Sequence, residues 1–185
     1  RNTLIVLPTG LGKTKTAIAA LLGRLRQYPE GKVLFLTPTR PLAAQIRQEF
    51  LSSTTLDPAL VSLFTGTVSP EKRTELFSSS RVIVSTPQTI AHDVVSGRCD
   101  LSCVVGLVFD EVHRCVKDYD YTWLAQQYHK VAPSGRIIGL TASPGSDLTT
   151  ISAVCKNAFI EAVEVRTEQD SDVSPYVQES TAEWV

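Results

Sequence analysis

The chain has 185 residues, 43% of them hydrophobic, which is enough for one well-filled domain and leaves little room for two. Its 18 lysines and arginines oppose 19 acidic residues, so the net charge of -1 excludes a broad basic field, and any nucleic-acid contact must be local or shared with another domain. The four cysteines form no CxxC pair, which disfavours a zinc site. The sequence shows no secretory leader and no apolar run near the roughly 20 residues of a membrane span. We therefore expect a soluble intracellular protein without a membrane partner.

Short apolar runs rich in β-branched residues predict seven strands, at 3–7, 32–36, 60–64, 81–85, 104–109, 136–140 and 162–165. Between most of them lie stretches with helical periodicity, at 13–27, 41–52, 70–79, 89–96, 121–130 and 147–158. Pro41, Pro70 and Pro87 favour helix starts, because the first turn does not need the missing N–H. Continuously apolar strands separated by helices predict a doubly wound α/β fold with a mostly parallel sheet.

The composition changes near the end of the chain, which predicts a domain at 1–166 and a polar linker at 167–185. The linker lacks apolar periodicity, and we interpret it as leading toward a next domain. Because the first predicted strand begins at Thr3, we expect the chain to be a piece of a longer protein. The aromatic residues around Trp123 are expected to pack on the sheet rather than to stack on bases.

The stretch "LPTGLGKT" follows the first predicted strand and opens a helix, so it falls at the edge where open parallel sheets bind ligands. Gly10 and Gly12 allow the backbone N–H groups to converge on phosphate oxygens, helped by the positive end of the helix dipole. Lys13 would reach the β and γ phosphates and Thr14 would hold Mg²⁺. The strict pattern GxxxxGK[ST] has glycine where this chain has Leu7, so the alternative is an ordinary glycine-bearing turn. The predicted nucleotide-binding residues are Leu7, Pro8, Thr9, Gly10, Leu11, Gly12, Lys13 and Thr14.

The run "VVGLVFDEVH" supplies the carboxylates that a phosphate-loop enzyme needs. Asp110 and Glu111 end the most apolar predicted strand, so they should face the same edge as the loop. There Asp110 would hold Mg²⁺ and Glu111 would polarise the attacking water. His113 becomes a candidate for coupling hydrolysis to movement. The alternative is that Asp110 caps a turn and the other two side chains are solvated.

The chain resembles the first RecA-like domain of superfamily 2 DExH helicases and translocases. The resemblance rests on "PTGLGKT", "TPTRPLAAQ", "TG", "TPQT", "DEVH" and "TAS", which occur in this order over nearly the whole chain. The strings "NTLIVLPTGLGKT", "FDEVHRC" with "DYDY" beyond it, "LTASPGS" and "VRTEQDSDVSPYV" are similar to the FANCM/Hef branch of DNA-remodelling translocases. The resemblance implies a RecA-like phosphate-loop fold, ATP and Mg²⁺ as cofactors, and Lys13, Asp110, Glu111 and His113 as catalytic residues.

The resemblance also implies a track for the sugar-phosphate backbone of nucleic acid. Short hydroxyls, helix-start N–H groups and a guanidinium suit this task because they hold phosphates without reading bases. The residues implied are Thr39, Arg40, Gly66, Thr86, Pro87 and Gln88. Thr141 and Ser143 are implied to link the nucleotide site to domain movement together with His113. The alternative for "TPTRP", "TPQT" and "TAS" is that they are only strand ends followed by a helix start or a turn.

The resemblance implies that the whole enzyme is a DNA-repair translocase acting on forked or branched DNA, nuclear in a eukaryote and cytoplasmic in an archaeon. Such motors hydrolyse ATP between two RecA-like domains, the second of which supplies arginine fingers. No "QxxGRxxR" segment occurs in these 185 residues. We therefore expect the domain alone to hydrolyse almost no ATP. The family's adenine-selecting glutamine usually lies upstream of the loop, so for a chain that begins at Arg1 the resemblance implies weak nucleotide binding, and we expect a monomer.

Two other functions fit the motifs. One is an RNA-directed DExH helicase domain, as in double-stranded RNA sensors or Dicer-like enzymes. The other is a non-catalytic module that docks nucleic acid or protein and retains a nucleotide pocket. The intact lysine and acidic pair argue against the docking module, since docking alone does not need them.

Overall fold

The computed structural model describes residues 1–116, 119–143, 148–171 and 173–174. These residues form seven strands, β1 Thr3–Val6, β2 Lys32–Leu36, β3 Val61–Phe64, β4 Val82–Ser85, β5 Val104–Asp110, β6 Ile137–Thr141 and β7 Ala162–Val165. They also form six α-helices, α1 Lys13–Gln27, α2 Arg40–Ser53, α3 Pro70–Ser79, α4 Pro87–Val95, α5 Asp120–Val131 and α6 Leu148–Asn157. Short 3-10 turns at Pro58–Leu60, Leu101–Cys103 and Val112–Arg114 were not predicted.

The strands form one sheet in the order β3-β4-β2-β5-β6-β1-β7. Every pairing among the described strands is parallel. The predicted doubly wound fold is therefore confirmed, and the sheet is more uniformly parallel than predicted. From β1 the chain crosses β6 and β5 before it enters the sheet again as β2, so the carboxyl ends of these central strands border one crevice.

The sheet is buried on both faces along its central strands, as the continuously apolar strands predict, whereas the edge strand β7 is mostly exposed. Successive residues of β5 pack on opposite sides: Leu107 and Phe109 join one core cluster, and Val108 joins the other. The first cluster includes residues of helices α3 to α6, and the second includes residues of α1 and α2. The aromatic residues of α5 pack on the sheet as predicted, with Tyr121 and Tyr128 buried. No described helix is long and apolar enough to cross a membrane.

Helix starts explain most differences between predicted and observed boundaries. Pro70 and Pro87 are the first residues of α3 and α4, so α4 begins two residues before the predicted position. Helix α2 begins at Arg40, one residue before Pro41, and its N-cap Thr39 accepts a hydrogen bond from the backbone of α2. The "DYDY" string and the "PGS" part of "LTASPGS" lie partly or wholly outside the described residues, as does most of the predicted linker. The boundary at residue 166 stays a prediction.

Candidate nucleotide and nucleic-acid site

The glycines of the phosphate loop adopt backbone angles that other residues rarely reach. Gly10 has φ 85° and Gly12 has φ 90°, and a Cβ at either position would meet no atom within 4 Å. Both glycines are thus required for their conformation, and the space beside them is open. The side chain of Leu7 is buried, and its N–H donates to the carbonyl of Thr141 at 3.2 Å. Leu7 continues the strand without a positive φ, which explains why glycine is not required there.

The ammonium of Lys13 lies inside the curve of the loop. Its Nζ donates to the carbonyl of Leu7 at 2.7 Å and to that of Pro8 at 3.2 Å. Burial lowers the pKa of Lys13, and the nearby charges of Glu111 and Asp110 partly oppose that shift. The lysine is therefore held at the loop by backbone carbonyls and by the field of the two carboxylates.

Asp110 ends β5 with its carboxylate anchored on both oxygens. Oδ2 accepts a hydrogen bond from Thr37 Oγ1 at 3.2 Å, and Oδ1 accepts one from the N–H of Glu111 at 3.1 Å. Burial raises the pKa of Asp110, and the neighbouring charge of Glu111 raises it further. A cation beside this group would favour its charged form and relieve both effects.

Glu111 and His113 begin a series of polar side-chain contacts at the same edge of the sheet. Glu111 has φ 53° and ψ 47°, a left-handed conformation that sharply turns the chain after β5. Nδ1 of His113 lies 3.4 Å from Glu111 Oε2 and 3.1 Å from Thr141 Oγ1. The Thr141 hydroxyl donates to the carbonyl of Ser143 at 2.8 Å, so the hydrogen between His113 and Thr141 belongs to the imidazole. The structure thus brings together His113, Thr141 and Ser143, the three residues implied to couple hydrolysis to movement.

The loop and the acidic pair line one cleft of about 860 Å³. Its walls include Thr14, Asp110 and Glu111, and also Gln45 and Glu49 of α2, which the sequence reasoning missed. The spacing of these last two, four residues apart on a helix, was the signal that could have found them. Among the described residues no three His, Cys, Asp or Glu side chains form a metal cluster. A hydroxyl and one or two carboxylates nevertheless suit Mg²⁺, which takes further ligands from water and phosphates. The cleft therefore fits a magnesium nucleotide.

The implied nucleic-acid residues divide into exposed and buried ones. Arg40 and Gly66 lie together, since a Cβ on Gly66 would sit 2.8 Å from Arg40 Nη2. Thr39, Arg40, Gly66 and Gln88 are exposed, whereas Thr86 and Pro87 are buried. The Thr86 hydroxyl is also hydrogen-bonded to that of Thr89 at 3.0 Å. A contact at Thr86–Gln88 would therefore come from the helix start and Gln88 rather than from the Thr86 side chain.

A buried ion pair connects α3 to α4, the helix that carries Gln88, and the sequence reasoning did not find it. Arg73 of α3 donates to Asp93 of α4 through two nitrogens, at 2.6 and 2.8 Å, and Arg98 adds a third bond at 3.1 Å. Arg73 also donates to the carbonyl of Val68, in the loop that follows Gly66. The signal available in the sequence was an acidic residue three positions after the apolar Ile90 on one helix.

Comparison with known proteins decides the family. The DEAD/DEAH box helicase family matches residues 1–151. The chain belongs to that family. The crystal structure of the Pyrococcus furiosus Hef helicase domain superposes with a TM-score of 0.94 at 46% identity, covering 100% of this chain and 38% of that one. The match confirms the RecA-like fold.

Two curated relatives are much longer than this chain. An ATP-dependent DNA helicase, mph1, of Neurospora crassa is 39% identical over 95% of this chain. The DEAD-box ATP-dependent RNA helicase FANCM of Arabidopsis thaliana is 38% identical over 98%. The chain spans 15% and 14% of their lengths. With the Hef structure, they confirm the predicted resemblance to the FANCM/Hef branch, while their names differ on the nucleic acid.

Proposed function

We propose that this chain is the first motor domain of an ATP-dependent DNA translocase that remodels forked or branched DNA in repair. One observation carries the proposal: the glycine loop with Lys13 and the acidic pair Asp110–Glu111 line the same cleft. The likeness to the ATP-dependent DNA helicase mph1 of Neurospora crassa supports DNA as the substrate. The protein would act inside the cell, in the nucleus of a eukaryote or the cytoplasm of an archaeon.

Each residue of the cleft has a role that follows from its chemistry. The loop N–H groups at Gly10 and Gly12 would bind phosphate oxygens, and Lys13 would leave its carbonyl partners for the β and γ phosphates. Bound Mg²⁺ supplies neutralisation of the charge that develops on the phosphoryl group. Thr14 and Asp110 would hold that ion through oxygen, which is the ligand it prefers.

Glu111 is the candidate for orienting the attacking water, because its carboxylate lines the cleft beside the metal-binding candidates. Its neighbour His113 connects it to Thr141 at the end of β6. We propose that the contacts from Glu111 through His113 to Thr141 couple the state of the nucleotide to the elements that meet a second RecA-like domain. That domain of the same polypeptide would close over the cleft and supply the arginine fingers.

Nucleic acid would lie across the exposed residues at the same edge of the sheet. Arg40 and Gly66 are adjacent, and the first turn of α4 presents Gln88 and free helix-start N–H groups. Such contacts bind phosphates and sugars and carry no sequence information, as a translocase requires. With a net charge of -1, the chain offers only this local track and no general attraction to DNA.

ATP hydrolysis by the full-length protein tests the proposal. We expect forked DNA to stimulate it strongly, and Lys13→Ala and Glu111→Gln each to reduce the stimulated rate by at least about 100-fold, the size of effect seen for single transition-state groups. Stimulation by double-stranded RNA but not by forked DNA would identify an RNA-directed helicase, as the name of the Arabidopsis relative suggests. A nucleic-acid-dependent activity that survives both substitutions would indicate a docking module instead.

A further inference from the structure

Helix α5 fastens both ends of β5 with two buried tyrosines. Tyr121 and Tyr128 are seven residues apart, two helical turns, so they lie on one face of α5. The hydroxyl of Tyr128 donates to the carbonyl of Val104, the first residue of β5, at 3.0 Å. The hydroxyl of Tyr121 donates to the carbonyl of Asp110, the last residue of β5, at 2.8 Å. Of these two tyrosines, only Tyr121 reaches the proposed active site.

Tyr121 also contacts the neighbouring strand. Its hydroxyl lies 3.1 Å from the carbonyl of Leu36, the last residue of β2. The paired register of β2 and β5 ends at Leu36 and Phe109. Beyond this pair, β2 leads to Thr39 and Arg40, and β5 leads to Asp110 and Glu111. The tyrosine therefore bridges the two strand ends where the ladder between them stops. Since the phenol has one hydrogen, the two carbonyls share it.

A second hydroxyl joins the same two segments through side chains. Thr37, the residue after Leu36, is fully buried and donates to the carboxylate of Asp110 at 3.2 Å. Three residues further along the chain, Arg40 is exposed beside Gly66. A displacement of the segment 36–40 would thus act on Asp110 at its carbonyl, through Leu36 and Tyr121, and at its carboxylate, through Thr37.

The ring of Tyr121 is held so that its hydroxyl has little freedom. It packs against Phe109 with centroids 4.7 Å apart and edge-on against Tyr119 at 5.2 Å, and the residue is fully buried. A rigid donor shared by two carbonyls favours one relative placement of the strand ends.

We infer that Tyr121, together with Thr37, is a positioning residue that couples the segment 36–40 to Asp110. Binding of a DNA backbone at Arg40 shifts this segment, and the two hydroxyls carry the shift to the magnesium-binding carboxylate. The inference rests on the proposed function, because it assigns the path by which DNA stimulates ATP hydrolysis.

Tyr121→Phe and Tyr128→Phe in the full-length protein are a matched test. Each removes one buried hydroxyl from the same face of α5 and leaves one end of β5 without its donor. We expect similar losses of thermal stability but different function. Tyr121→Phe should reduce the DNA stimulation factor of the ATPase about 3- to 10-fold, the equivalent of one buried hydrogen bond. Tyr128→Phe should leave the factor unchanged.

Amide hydrogen exchange, measured without nucleotide, provides a readout that does not need turnover. In the wild type, forked DNA should slow exchange both in 37–42 and in 110–114. In Tyr121→Phe the first segment should still respond, and the response of the second should be lost. Thr37→Val, which keeps the shape of the side chain, should behave like Tyr121→Phe and serves if that variant does not fold.

The outcomes separate the two ideas. If the wild type is stimulated by DNA and Tyr121→Phe, Thr37→Val and Tyr128→Phe keep the same stimulation factor and exchange response, the positioning link is wrong and the proposed function stands. If the wild type itself shows no stimulation by DNA, the proposed function fails and the link fails with it.

Discussion

At the scale of single residues, backbone angle and not available space explains why the phosphate loop needs glycine at position 12. Gly12 and Gly23 both have open space where a Cβ would lie, but only Gly12 has a positive φ. Alanine at Gly12 has to adopt a left-handed conformation, whereas alanine at Gly23, inside α1, restricts only the unfolded chain.

Gly12→Ala and Gly23→Ala should therefore change stability in opposite directions. We expect a loss of about 1 to 2 kcal/mol for the first, the cost of a left-handed residue, and a gain of about 0.5 to 1 kcal/mol for the second. Urea unfolding followed by circular dichroism measures both. Equal effects would mean that the loop conformation does not require glycine at this position.

The same scale shows what sequence can and cannot give at the site. Lys13, Asp110 and Glu111 could be placed at one edge because each follows a predicted strand, and parallel strands end together. The hydroxyls of Thr37 and Tyr121 could not, because their partners are 73 and 11 residues away and depend on the order of strands in the sheet. The left-handed turn at Glu111 also has no local signal, since glutamate rarely adopts that conformation.

At the scale of elements, the buried ion pair decides how α3 and α4 sit. Asp93 is 1% exposed and Arg73 is 6% exposed at the side chain. The pair joins α3 to α4, and Arg73 also donates to the carbonyl of Val68 in the loop that follows Gly66. Lys72 and Glu75, also on α3, form a pair that is more than half exposed. Both pairs have their basic residue on α3 and differ in burial. Comparing them therefore shows how burial changes the contribution of an ion pair to the free energy of unfolding.

Asp93→Asn should cost about 3 kcal/mol or more, because it leaves the buried arginine without its counter-charge. Glu75→Gln should produce no measurable change, as is usual for exposed pairs. Calorimetric unfolding of both variants checks the difference. A loss at Glu75 as large as that at Asp93 would contradict the importance of burial.

The pH dependence of the same variant follows from linkage. Burial alone would raise the pKa of Asp93, but the hydrogen bonds and charges of Arg73 and Arg98 outweigh it and lower the pKa overall. A carboxylate with a lowered pKa stabilises the fold above its unfolded pKa, and that stability is lost as the pH falls through the folded pKa. The stability gap between wild type and Asp93→Asn should therefore narrow as the solution is acidified below pH 4.

The ends of the helices and strands show how accurately the apolar periodicity of the sequence predicts element boundaries. The limits of α1 and α3 match their predictions, because a glycine loop precedes one and a proline begins the other. Strands β5 and β6 each run one residue beyond their predicted ends, to Asp110 and Thr141. These polar ends escape an apolar pattern because their side chains serve the site and not the core.

At the scale of the whole molecule, one edge of the sheet gathers the loop, the acidic pair and the exposed track residues. That edge offers oxygens for a metal, two lysines and helix-start N–H groups. Lys13 and Lys15 line the nucleotide cleft, but none of the described residues that line it is an arginine. A transferring phosphoryl group would therefore lack the guanidinium that stabilises its charge in two-domain motors.

The domain as a separate protein should bind magnesium ATP weakly and hydrolyse almost none of it. We expect its rate to be at least about 10³-fold below that of the DNA-stimulated full-length protein, the size of an arginine-finger effect. Binding should be abolished by Lys13→Ala, measured by calorimetric titration, with circular dichroism showing that both proteins are folded. A DNA-stimulated rate in the isolated domain near that of the full-length protein would show that the charge is stabilised from within these 185 residues. Lys15, an exposed residue that lines the cleft, would then be the first side chain to replace.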